Sequence, residues 1–121
     1  MVLVFHLYPR TGVDRVRHVM RWSSCTAVEE RDTRPAYTRG WDIRLHATLV
    51  CQSLGPQVFY AELESSQARS AALRASPPDT PYCVFGKTEL VTYTAVYRAE
   101  REQTCHKLDG SLRRAAAPGR R

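Results

Sequence analysis

Four cysteines, Cys25, Cys51, Cys83 and Cys105, and four histidines are the residues with the widest chemical reach in this chain. They offer donors to zinc, which takes four nitrogen or sulfur ligands and whose dependable sequence sign is a closely spaced ligand pair repeated twice. No C-x-x-C occurs. The only adjacent pair, Cys105-His106, diverges on an extended chain, and His46 and Cys51, five apart on one predicted strand, fall on opposite faces. A site built from Cys51, Cys83 and either Cys25 or Cys105 is geometrically open, and zinc is the cofactor it would take. Buried free thiols are the commoner reason for such cysteines. A cysteine and a histidine could also meet as nucleophile and base. Nothing sets one cysteine apart, however, and there is no glycine-rich nucleophile turn or phosphate loop. Glu62, Glu64 and Glu89 read as polar strand ends, so the expectation is a protein without enzymatic activity.

The second chemistry is electrostatic. Eighteen basic residues face twelve acidic ones, a net charge of +6, and all the basic residues except Lys87 and Lys107 are arginine. Guanidinium forks suit phosphates and base edges, so the balance favours a polyanionic partner, chiefly RNA or DNA, and RNA as a single strand or small duplex is the expected one. A GC-rich coding sequence would give the same arginine bias without any such partner. Arg15, Arg17 and Arg21 beside Trp22, with Arg113 and Arg114 further on, are the candidate nucleic-acid contacts, combining charge with a stacking ring. The alternative for the first group is a solvated helix face with Trp22 folded onto a strand. No G-x-x-G clamp and no aromatic RNP-like octamer is present.

These residues need elements to hold them. Trp41, Ile43, Leu45, Ala47, Leu49 and Cys51 alternate with Asp42, Arg44, His46 and Thr48, which predicts a strand with one buried face. Ser53-Leu54-Gly55-Pro56 supplies a turn, and residues 57–63 a return strand, so residues 41–63 read as an antiparallel hairpin. Residues 1–8 read as another strand stopped by Pro9. Thr11 then caps a helix running to residue 23 or 24, with Val13, Val16, Val19 and Met20 as its buried stripe. Residues 25–29 suggest a short strand and residues 30–40 a loop. A short helix is predicted over residues 66–75, capped by Ser65 or Ser66, then a proline-rich connector over residues 76–81, and strands over residues 82–87 and 88–98. Beyond residue 105 the chain is polar and arginine-rich, which predicts a disordered basic tail over residues 106–121. The expectation is one α+β domain over residues 1–105. Its mainly antiparallel sheet is built from residues 41–63, 1–8 and 87–98, with one or two helices, chiefly residues 11–24, on one face. No apolar run approaches the ~20 residues of a membrane span, residues 1–8 lack the flanks of a signal peptide, and a reducing compartment with unpaired thiols is the default.

The order of these segments resembles a known family. Residues 3–11 followed by residues 13–20, Gly40-Trp41-Asp42-Ile43 opening a strand that ends near Cys51, Tyr60, Ser65-Ser66-Gln67, and Pro77-Pro78 before Tyr82-Cys83-Val84 are similar to the small protein of the first open reading frame of sobemoviruses, over about the first ninety residues. The resemblance implies a plant-virus protein of the host cytoplasm or nucleus. Such a protein suppresses RNA silencing and supports systemic viral movement without enzymatic activity, by binding RNA or a host silencing factor. It also implies zinc in some members, held by cysteine pairs flanking the region that matches Cys51 and Cys83. Here Cys51 is followed by Gln52-Ser53-Leu54 and Cys83 by Val84-Phe85-Gly86. Each pair is thus reduced to one cysteine, and zinc would need other ligands such as Cys25, Cys105 or His106. The alternative from another class is a non-enzymatic, zinc-stabilised module that grips a host protein by a sheet edge.

Overall fold

The structure, a computed structural model, describes residues 12–20, 25, 27–51 and 56–114. Among these, three helices, α1 (Gly12–Val19), α2 (Ser66–Ala75) and α3 (Arg98–Lys107), surround six strands. The strands are β1 (Val28–Arg31), β2 (Ile43–Cys51), β3 (Gln57–Leu63), β4 (Pro81–Phe85), β5 (Glu89–Thr94) and β6 (Ser111–Arg114). They form one sheet in the order β1-β2-β3-β5-β4-β6, every neighbouring pair antiparallel. The molecule is the single α+β domain that the alternating segments predict.

The β2–β3 hairpin sits inside the sheet, but its alternation changes phase part-way. Ile43 pairs with Leu63 and Leu45 with Glu62, leaving Arg44 as the extra residue of a β-bulge. A bulge moves the following residues to the other face, so Trp41 and Ile43 do not share a side with Ala47, Leu49 and Cys51 as strict alternation predicts. Trp41 and Ile43 pack with Phe59 and Leu63, whereas Ala47, Leu49 and Cys51 pack with Val58 and Tyr60. Leu45, next to the bulge, stays 39% exposed. Arg44 turns outward toward Glu62 and Glu64, 3.8 and 3.5 Å away.

Both faces of the sheet are covered. Val13, Val16, Val19 and Met20 of α1 and its end join Cys105 and Leu108 at the end of α3 over one face. Ala72 of α2, helped by Ala68 and Leu73, covers the other with Trp41, Phe59 and Leu90. Topology explains the division. The chain crosses from β3 through α2 to β4, skipping β5, and from β5 through α3 to β6, skipping β4. Within each crossover the two strands are parallel, but the crossovers start from strands of opposite direction. If both keep the same hand, as parallel crossovers do, their helices must lie on opposite faces.

Local chemistry sets the ends of these elements. Ser65 Oγ accepts a 3.0 Å hydrogen bond from Ala68 N and caps α2, one of the two caps the sequence offers. Gly86, at φ +58°, turns the chain between β4 and β5, and Arg69 of α2 closes that turn by donating to the carbonyls of Phe85, Gly86 and Glu89. Burial and nearby Arg113 hold the Arg69 guanidinium below the usual arginine range.

Two expectations are corrected. The four cysteines are not thiols: Cys25 is bonded to Cys51 and Cys83 to Cys105, leaving no free cysteine among the described residues. Their sequence separations hid the pairing, which depends on β2 ending beside residue 25 and on α3 crossing β4. The domain boundary also moves. Residues 106 and 107 are the last turn of α3, and residues 111–114 add strand β6 beside β4. Residues 115–121 of the expected tail lie outside the described residues, as do the strand expected at residues 1–8, most of the expected turn at residues 53–56, and Arg21 and Trp22.

Candidate nucleic-acid interface

The six arginine and tryptophan candidates separate. Arg15 on α1 lies over the Phe85 ring at 5.5 Å and donates to the Leu108 carbonyl at 3.4 Å, which commits its guanidinium to holding α1 against the sheet and α3. Arg17 pairs with Glu30 at 2.5 Å and reaches Asp14 at 3.9 Å, so its charge is already balanced. Arg21 and Trp22 lie outside the described residues. The predicted α1 face is thus spent, in its described part, on internal contacts.

Arg113 and Arg114 are placed differently. They end β6, whose four residues are all exposed, and their backbones pair with Tyr82 and Pro81. The first turn of α3 stands beside them with Arg98 and Arg101, three apart and so on one helix face. Together Arg98, Arg101, Arg113 and Arg114, with Glu102, Pro81 and Leu112, line a cleft of about 360 Å³. Consecutive strand residues point to opposite faces, so Arg114 shares the α3 side with Leu112, whereas Arg113, opposite Tyr82, lies on the α2 side, where its charge acts on Arg69; three arginines and one glutamate leave the cleft positive. Arg98 Nε meets Glu102 at 3.1 Å in an exposed pair, a contact worth little in water and easily exchanged. Arg101 is anchored by donating to the Val96 carbonyl at 2.7 Å. Among the described residues, no carboxylate lies within ion-pair distance of Arg113 or Arg114. Tyr97, immediately before α3, is 79% exposed. This is an arrangement for binding anions: clustered fork donors with little compensating charge, next in the chain to an exposed aromatic ring.

Arg98 and Arg101 were missed because the alternation of residues 88–98 continues a strand pattern into the helix. The strand ends at Thr94, where Ala95 takes φ +59°. The run Arg-Ala-Glu-Arg-Glu-Gln, rich in good helix formers with an i,i+4 Arg98–Glu102 pair, is the feature that could have revealed α3.

The cysteine set does not fit zinc. Each sulfur is committed to a disulfide partner, whereas zinc binds the thiolate. No group of three or more His, Cys, Asp or Glu side chains among the described residues is placed to hold a metal. No helix among them is long and apolar enough to cross a membrane. Comparison of the chain with protein-family models, with curated proteins and with solved structures finds no match.

Proposed function

We propose that this protein suppresses host RNA silencing and supports systemic spread of a plant RNA virus, acting without enzymatic activity by binding RNA. The family role rests on the resemblance of segment order. The RNA contact rests on one observation, the cleft between α3 and β6 where Arg98, Arg101 and Arg114 face a single glutamate. Phosphate contacts made by such a surface release counterions, so affinity falls steeply with salt. Titration of short single- and double-stranded RNA at two salt concentrations tests the reading. Tight binding is expected at low salt, weakening by a log–log slope of about −0.7 for each single-strand phosphate neutralised. R98A/R101A and R113A/R114A should each weaken it and flatten that slope. Absence of binding at low salt would overturn the mechanism.

A second reading has its own observation: β6 is exposed along its length, with Leu112 at 38%. An edge of this kind can accept a strand from a host silencing factor. That reading predicts capture of the factor that survives high salt and is lost when proline replaces Leu112.

A further inference from the structure

The α3–β6 cleft concentrates charge at one point. A nucleic-acid backbone presents one negative charge per phosphate, distributed along the strand. A phosphomonoester carries about −1.5 to −2 at neutral pH, with three strong acceptor oxygens on one phosphorus. The cleft matches the second distribution better than the first. Its volume of about 360 Å³ is at the small end of small-molecule sites, and apolar Pro81 and Leu112 form part of its wall. Arg98 and Arg101 of α3 and Arg114 of β6 bring their charges to that limited space from one face of the sheet, and Arg101 is held in place by the Val96 carbonyl.

The surroundings agree. Tyr97 caps α3 without a side-chain hydrogen bond to the helix, so its ring is not committed there and its face can stack the last base of a strand. Arg113 and Arg114 have no carboxylate to displace among the described residues, and the one at Arg98 is exposed.

We infer that the cleft binds a terminal phosphomonoester of RNA, with the adjoining base on Tyr97. The inference rests on the RNA-binding reading and narrows it from backbone contact to recognition of a strand end. One single-stranded RNA is prepared with a 5′-phosphate, with a 3′-phosphate and with hydroxyls at both ends, and each form is titrated into wild-type protein, R98A/R101A and R113A/R114A at fixed salt. One phosphorylated form should bind about tenfold or more tighter than the hydroxyl form, the scale of a charge-assisted contact. That preference should vanish in both variants. Because Arg113 and Arg114 are exposed, R113A/R114A keeps the test independent of any loss of folding in α3. Equal affinity of the three RNAs for wild type, with the variants weakening all of them alike, would overturn the inference and leave RNA binding intact. Failure of every form to bind would overturn both. Competition by a nucleoside monophosphate but not by equimolar inorganic phosphate would support the inclusion of Tyr97, whereas equal competition would restrict the site to the phosphate.

Discussion

Single residues in this protein are tightly constrained where the chain passes the disulfide between Cys83 and Cys105. Gly110 lies so close that a Cβ there would overlap the Cys83 sulfur, stand 2.7 Å from the Val84 carbonyl oxygen and 3.2 Å from the Cys105 sulfur. Gly110→Ala is expected to cost about 1–3 kcal/mol, the scale of overpacking, measured as a lower urea midpoint. Buried tyrosines impose a second constraint. Burial, then the hydrogen bond to Glu89 and its charge, raise the Tyr60 phenol far above its ordinary value, and burial raises Tyr82 and Tyr93. Above pH ~10 the unfolded chain releases these protons while the folded protein keeps them. The unfolded state then binds fewer protons, and stability must fall as pH rises. Urea midpoints should fall between pH 9 and pH 11, with a late fraction of phenolate absorbance appearing only on unfolding. A Tyr60→Phe variant should lose part of that dependence.

Among the elements, α3 depends most on a covalent tie. Its sequence is strongly polar, and Thr104 and Cys105 are the residues it buries. Bonding of Cys105 to Cys83, with Leu108 tucked in just beyond, secures it to the sheet. Closing a loop of this length is worth about 3 kcal/mol in the chain-entropy account. C83S/C105S should therefore lose about that much stability by urea unfolding, with amide exchange rising first in residues 98–107. The same element marks the limit of what the sequence could reveal. Helix α2 was legible to its cap, because Ser65 and the alanines act locally. The β2–β3 hairpin was legible for the same reason, except at the bulge, where nothing in Ile43-Arg44-Leu45 announces an extra residue. In contrast, α3 and β6 are stabilised by partners far away in sequence, so local composition suggested strand end and tail. Most of the proposed arginine site was hidden with them, since Arg98 and Arg101 gain meaning only when Arg114 is placed alongside.

For the whole molecule, a net charge of +6 is unevenly used. Arg15, Arg17, Arg44 and Arg69 are engaged in internal contacts, whereas Arg98, Arg101 and Arg114 face a shared opening. A ligand that fills the opening binds only the folded protein, so it must raise stability. Short RNA at a hundred times its dissociation constant should add about 2.7 kcal/mol to the unfolding free energy. Thermal scans with and without RNA check this, and R98A/R101A should abolish the increment. The interleaved crossovers have a further consequence, in time. β3 receives its second neighbour only when residues 89–94 arrive, and β4 receives its outer neighbour only at residues 111–114. A chain emerging from the ribosome therefore carries Phe59, Ala61 and Val84 on strands whose flanks are still bare. The distant pairings that complete the sheet set the pace of folding. Until they form, the nascent chain is most exposed to mispairing with another copy of itself.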